Sequence, residues 1–167
     1  MTEKIYRSYL EIRSLSELKE VKKPAENYSV ELADPKDFQL NRFFYKTIGK
    51  NCQWIDRLVW TDLDWTKYVS DEKLFTYILK NKNEIGGYFE LLFNKDTKEA
   101  EIAYFGILEE YFGRKLGAYL LSEAIKFSFN LGSIRVWVHT CSLDHKNALL
   151  NYQSRGMKIF KSETLIR

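Results

Sequence analysis

The chain has 167 residues, of which 45% are hydrophobic and 16% aromatic. This composition excludes a disordered protein, and the length predicts one folded domain with a hydrophobic core. Its net charge of +3 is too small to indicate a nucleic-acid-binding protein. Its two cysteines exclude a disulfide framework and a C-x-x-C metal motif. No apolar stretch approaches the roughly 18 residues of a membrane span, and the N-terminus lacks the apolar region of a signal peptide, so we expect a cytoplasmic protein.

The N-terminal residues predict a peripheral segment. Residues 4–12 can form an extended arm or an edge strand, and the charged residues 13–26 predict irregular structure. We therefore predict an N-terminal arm over residues 1–26 and a single domain over residues 27–167.

The domain begins with a strand and two helices. Residues 28–32 predict a strand that ends in a turn at Asp34 and Pro35, and a helix is predicted over residues 36–48. Thr61 and Asp64 have the spacing of a helix-capping box, which predicts the beginning of a second helix there.

Three strands then follow in succession. Residues 74–79, 85–93 and 100–108 read as strands, with a turn at residues 94–98, and predict an antiparallel meander. If Phe93 lies opposite Ala100, then residue 90 lies opposite residue 103. That register brings Glu90 and Glu101 onto one face of the sheet as diagonal neighbours.

The last third of the chain predicts a crossover and a final strand. A helix over residues 114–131 buries Leu116, Leu120, Ala124, Phe127 and Leu131, and Gly132 ends it. Residues 134–140 form a strand that should lie parallel to the strand before the helix. A helix over 145–155 follows, with Asp144 as N-cap and Gly156 after its end, and residues 157–161 form the last strand. The predicted class is α+β, with a mixed central sheet flanked by helices.

A glycine-containing basic turn leads into the helix over residues 114–131. Gly113 and Gly117 allow close backbone approach, Arg114 and Lys115 add charge, and a helix N-terminus offers free N–H groups to a phosphate. The turn fits neither the dinucleotide-binding G-x-G-x-x-G motif nor the P-loop motif.

Two segments together resemble the GNAT superfamily of acyl-CoA-dependent N-acetyltransferases. The first signature of that superfamily, Q/R-x-x-G-x-G/A, aligns with Phe112–Gly117, where Phe112 replaces the polar residue and Lys115 the first glycine. The second signature, N-A-L-x-x-Y followed by G-M, is complete at Asn147, Ala148, Leu149, Tyr152, Gly156 and Met157. The order of strands agrees, and the resemblance covers roughly residues 28–163.

The resemblance implies a site for acetyl-CoA and no metal. The strand at 104–107 would separate from the strand at 134–140, and the pantetheine arm would lie in the gap beside Phe105, Gly106 and Ile107. The pyrophosphate would bind N–H groups of residues 112–118, which are Phe112, Gly113, Arg114, Lys115, Leu116, Gly117 and Ala118. Asn147 would contact the pantetheine arm, and Tyr152 would point at the thioester sulfur.

Direct acetyl transfer to an amine requires a base that removes a proton from the amine, so that it can attack, and an acid that protonates the departing thiolate. A protonated Tyr152 suits the acid role toward the departing thiolate. Glu101 stands where the family often carries a carboxylate base, and Glu90 and His139 remain alternatives. Cys141 has no supporting feature as a nucleophile.

The acceptor is expected to be a small-molecule or peptide amine. Trp54, Trp60, Trp65 and Tyr68 fall in the segment where this family builds its acceptor pocket, and they would form an aromatic wall for an apolar or cationic amine. We expect no membrane or nucleic-acid partner and leave monomer and homodimer open. The alternative function is a non-catalytic acyl-CoA-binding sensor or interaction module on the same fold.

Overall fold

Strands and helices alternate along the chain, and the computed structural model describes residues 2–34 and 37–167. The strands are β1 (Lys4–Ile12), β2 (Tyr28–Leu32), β3 (Leu74–Asn81), β4 (Glu84–Asn94), β5 (Glu99–Ile107), β6 (Arg135–Cys141) and β7 (Lys158–Ile166). The α-helices are α1 (Phe38–Cys52), α2 (Asp62–Val69), α3 (Leu116–Asn130) and α4 (Ala148–Ser154). None of the helices in the described ranges is both long and apolar enough to span a membrane.

The strands form one mixed sheet in the order β2-β3-β4-β5-β6-β1-β7. Strands β3, β4 and β5 make the predicted antiparallel meander, and β6 lies parallel to β5 after the crossover through α3. The predicted α+β class and mixed sheet are therefore confirmed.

Strand β1 lies inside the sheet. It pairs antiparallel with β6 on one side and with β7 on the other, and Leu10 and Ile12 are buried in the core. The prediction of a peripheral arm or edge strand over residues 4–12 is therefore wrong. An alternating apolar pattern identifies a strand but carries no information about which distant strands will pair with it.

The helices cover opposite faces of the sheet. Successive strand residues point to opposite faces. Tyr88 stacks on Phe44 of α1 with ring centroids 4.7 Å apart, whereas the next residue, Phe89, stacks on Tyr77 on the other face at 5.0 Å. On that second face, Tyr77 stacks on Phe127 of α3 at 4.4 Å. The core thus has two layers with the meander between them.

Two helix beginnings follow local capping chemistry. Asp37 accepts a hydrogen bond from the N–H of Gln39 at the beginning of α1, and Thr61 with Asp64 forms the predicted capping box of α2. Pro35 and Lys36, where a turn and the beginning of the first helix are predicted, lie outside the described residues.

The register of the meander changes at a bulge. Phe93 lies opposite Ala100 and Leu92 opposite Glu101, as predicted, but Glu90 lies opposite Tyr104 instead of residue 103. One extra residue in β5 shifts the pairing between Leu91 and Glu90. The bulge brings Tyr104, instead of Ala103, beside Glu90.

Candidate active site

A large cavity opens where two parallel strands separate. Strands β5 and β6 pair only through Glu99 with Arg135, Ala100 with Val136 and Glu101 with Trp137, and no further pairing joins them within the described residues. The cavity, about 1300 Å³ in volume, is lined by residues of α1, β5, β6, the turn before α3 and the segment around α4. The gap predicted between these strands is thus present, with the backbone edge of β5 bordering it.

One end of the cavity is formed by the basic turn and the first turn of α3. The first N–H groups of a helix have no partner within the helix, and Lys115, Gly117 and Ala118 all line the cavity there. Gly113 adopts a positive φ of 77°, which glycine tolerates well. Lys115 also lies in the left-handed region, with φ 62°, where a non-glycine residue is strained.

The side chain of Arg114 turns away from this end. Its guanidinium donates to the Glu110 carbonyl oxygen and the Tyr28 hydroxyl and lies 4.8 Å from the Tyr111 ring centroid. Arg114 is not among the residues that line the cavity, so its predicted contact with a phosphate has no support from the position of its side chain. Phe112 does line the cavity, with its ring 5.2 Å from that of His145.

The opposite wall is built by residues 140–152. Asp144 accepts hydrogen bonds from the Thr140 hydroxyl and the Cys141 N–H, at 2.6 and 3.0 Å, and so fixes the turn after β6. The predicted N-cap role of Asp144 is wrong, because α4 begins later, with Asn147 as its N-cap. Asn151, which the sequence analysis did not single out, donates to the carbonyl oxygen of Gly117 at 3.1 Å and ties α4 to the first turn of α3.

Tyr152 lies across the gap from β5. Its ring is buried, with the centroid 6.3 Å from that of Phe105, and the residue lines the cavity. Burial, together with the negative charge of Asp144, raises the pKa of Tyr152 well above its ordinary value. The hydroxyl is therefore protonated at neutral pH and available as an acid.

Glu101 and His139 both line the cavity, on neighbouring strands. Burial raises the pKa of Glu101, and the positive charge of Arg57 partly opposes this increase. Burial and the charge of Arg7 lower the pKa of His139, which leaves its imidazole neutral at pH 7. Either group can accept a proton at the edge of the gap.

Glu90 lies outside the cavity. It is fully buried and accepts hydrogen bonds from Asn41 at 2.7 Å, from Arg57 at 3.2 Å and from the Tyr68 hydroxyl at 2.5 Å. A carboxylate so enclosed has no path to a ligand in the cavity. Glu90 therefore does not fit the role of the base.

Arg57, which the sequence analysis missed, fills an aromatic cage. Its guanidinium carbon lies between 4.1 and 5.6 Å from the ring centroids of Tyr45, Trp60, Trp65, Tyr68 and Tyr104. This cage includes three of the four aromatic residues that were predicted to bind an acceptor amine. Trp60, Trp65 and Tyr68 surround the protein's own cation and do not line the cavity, whereas Trp54 does.

Of the four residues of the predicted aromatic wall, Trp54 alone therefore lines the cavity. Trp54 packs edge-to-face on Tyr104 with centroids 4.8 Å apart, and Tyr104, which was not predicted, lines the cavity beside it. The one sequence signal for the aromatic cage around Arg57 was the number of tryptophan and tyrosine residues near this arginine in residues 54–68.

Neither cysteine is prepared for nucleophilic chemistry. Burial raises the pKa of the Cys52 thiol to about 11 and also raises that of Cys141, so both are protonated at neutral pH. In the described part of the chain, no group of three or more histidine, cysteine or carboxylate side chains is arranged to hold a metal ion.

Comparisons with known proteins agree with this geometry. Residues 38–157 match the sequence model of the acetyltransferase (GNAT) family. A comparison with curated proteins found no match.

Solved structures share the fold at low sequence identity. A GCN5-related N-acetyltransferase from Sphaerobacter thermophilus superposes with a TM-score of 0.67 at 15% identity, over 97% of this chain and 50% of its own length. An aminoglycoside acetyltransferase from an uncultured soil metagenomic sample has a TM-score of 0.64 at 15% identity, over 77% and 87%. An IAA acetyltransferase from Bacillus cereus has a TM-score of 0.58 at 20% identity, over 80% and 79%. This chain thus spans about half the length of the Sphaerobacter protein.

Proposed function

Because the chain belongs to the acetyltransferase (GNAT) family, we propose that it transfers an acetyl group from acetyl-CoA directly to an amine. The observation that carries the proposal is the separation of β5 from β6 next to the N-terminus of α3, with Tyr152 facing the gap. The gap between the strands offers an extended slot for a thioester arm, and the first turn of α3 offers N–H donors for phosphates. Tyr152 offers an acid next to this gap.

The residues present fit acetyl-CoA. The N–H groups at the beginning of α3 and the Lys115 ammonium would hold the pyrophosphate, as a helix N-terminus favours anions. The unpaired edge of β5 from residue 102 to 107 offers backbone hydrogen bonds to the amide groups of the pantetheine arm. Asn151 would act on this site indirectly, by holding α4 against Gly117.

The chain's own groups supply the proton transfers. Acetyl-CoA, when bound, provides the acetyl group as a thioester. Glu101 would accept the proton of the attacking amine, directly or through a water molecule, and its raised pKa brings its basicity closer to neutral pH. Tyr152 would donate a proton to the departing thiolate, because its raised pKa keeps it protonated.

The acceptor side favours a small amine. Trp54 and Tyr104 form an aromatic wall, and Asp56 and Glu101 give the same region negative charge that attracts an ammonium group. Aminoglycoside and IAA acetyltransferases are the names of two similar structures, which supports a small-molecule acceptor over a macromolecular one.

Two measurements test the proposal together. Titration calorimetry measures binding of acetyl-CoA, and release of the free thiol is followed for a panel of primary amines. Binding together with amine-dependent thiol release supports the enzyme. Binding without thiol release for any amine would replace it with the non-catalytic sensor, and absence of binding would contradict both functions.

A further inference from the structure

The indole of Trp54 reaches from one wall of the gap to the other. Its ring packs edge-to-face on Tyr104 of β5, with centroids 4.8 Å apart, and lies 5.7 Å from the ring of Tyr45 in α1. At its other end, Nε1 donates a long hydrogen bond of 3.4 Å to the carboxylate of Asp144, in the turn after β6. Trp54 therefore crosses the space between the separated strands, where it lines the cavity.

The position of Trp54 is fixed by the end of α1. Gln53 adopts the left-handed conformation, with φ 54°, and the N–H of Trp54 donates back to the carbonyl oxygen of Gly49 at 3.0 Å. A Cβ atom at Gly49 would lie only 2.7 Å from the Cβ of Trp54, so this close return requires glycine. The indole is thus held in place by the end of the helix and by two tyrosine rings.

Trp54 and Tyr152 lie at the same level of β5, on opposite faces of the sheet. Trp54 packs on Tyr104. The next residue of the strand, Phe105, points to the other face and meets Tyr152, with ring centroids 6.3 Å apart. Burial and then the negative charge of Asp144 raise the pKa of Tyr152, so the carboxylate that accepts from Trp54 also acts on Tyr152. Tyr152 therefore borders the gap on one side of the sheet and Trp54 on the other.

This arrangement puts Trp54 beyond the thioester of the proposed reaction. Tyr152 protonates the departing sulfur, and the acyl carbon is bonded directly to that sulfur. A thioester arm that lies in the gap with its sulfur at Tyr152 therefore directs its acyl group across the strand toward Trp54. Extra methylene groups in a space closed by a fixed ring are unfavourable.

We propose that Trp54 is the residue that limits the acyl group to acetyl and similarly short chains. The proposal rests on the proposed acetyltransferase function and deepens it, because it assigns the choice of acyl donor to one side chain. Removal of the indole would open a space at the end of the slot that several methylene groups can fill. Burial of each methylene group there would then favour a longer chain.

Binding of a thioester series tests the proposal without requiring turnover. Titration calorimetry gives Kd for acetyl-CoA, butanoyl-CoA and hexanoyl-CoA in the natural protein and in Trp54→Ala. The natural protein should bind hexanoyl-CoA at least about 10-fold more weakly than acetyl-CoA. Trp54→Ala should bind hexanoyl-CoA at least as tightly as acetyl-CoA. Trp54→Leu also lacks the ring but keeps an apolar side chain, so it should give the same result and replaces the alanine variant if that variant does not fold.

The matched control is Leu58→Ala. Leu58 belongs to the same segment, is 51% exposed and does not line the cavity, so its removal should keep the natural preference. The melting temperature and the Kd for CoA itself report whether each variant is folded. Equal binding of acetyl-CoA and hexanoyl-CoA by the natural protein, or an unchanged preference in the folded Trp54 variants, overturns this inference alone. If neither CoA nor acetyl-CoA binds the natural protein, the proposed function fails and this inference fails with it.

Discussion

Replacement of Arg57 by Met should destabilise the protein strongly, because it leaves a buried carboxylate without its cation. The side chain of Arg57 is 8% exposed and that of Glu90 is 0% exposed, with 3.2 Å between Nη1 and Oε1. Breaking such a buried pair by removing one partner costs about 3–5 kcal/mol. For a protein of this size, that loss lowers the melting temperature by about 6–20 °C.

The measurement is the free energy of unfolding in urea, together with the melting temperature. Arg42→Met is the matched control, since Arg42 forms an exposed pair with Asp62 at 2.7 Å and should change stability by about 1 kcal/mol or less. Adding Glu90→Gln to Arg57→Met removes the isolated charge and should recover much of the loss. A loss below about 1 kcal/mol for Arg57→Met, or a double variant less stable than the single one, would refute the buried ion pair as the cause.

Three further predictions concern the proposed site. Tyr152→Phe should lower kcat about 10²–10⁴-fold with little change in acetyl-CoA affinity measured by calorimetry, and unchanged turnover would remove it as the acid. The raised pKa of Glu101 makes activity fall on the acidic side at a higher pH than an ordinary carboxylate would. Glu101→Gln should therefore remove that decrease from the pH–rate profile, and a profile that keeps it unchanged would exclude Glu101 as the base. Lys115→Asn should raise the free energy of unfolding in urea by up to about 1 kcal/mol, since asparagine tolerates a positive φ better than lysine. The same variant should weaken acetyl-CoA binding more at low salt than at high salt. An equal weakening at both salt concentrations would exclude a charge contact.

The sequence predicted the elements whose signals are local. The hairpin register from Phe93 to Glu101 follows from a short turn, and the capping box at Thr61 depends on a spacing of three residues. The bulge beside Tyr104 has no such local signal, because no glycine marks it in the sequence. The register prediction therefore failed one residue past Ile102.

The misassigned site residues share a different physical reason. Trp60, Trp65 and Tyr68 suit a cation, and the aromatic pattern is the same whether that cation is a ligand or an arginine of the chain. Only the tertiary structure decides between the two. Glu90 likewise carries no local mark of burial, since a carboxylate in a strand is exposed unless distant groups such as Asn41 and Arg57 neutralise it.

The interior position of strand β1 has a consequence for how the protein is made. Residues 4–12 are synthesised before all their partners, since the paired residues of β6 follow about 130 residues later and those of β7 later still. The meander of β3, β4 and β5 can form from neighbouring segments, whereas β6 and β7 acquire a shared neighbour only when β1 inserts between them. Insertion of β1 between these two strands is therefore expected to be the late and slow step of folding. Until that step is complete, the apolar side chains of Leu10 and Ile12 stay exposed on a nascent chain, where a chaperone can bind them.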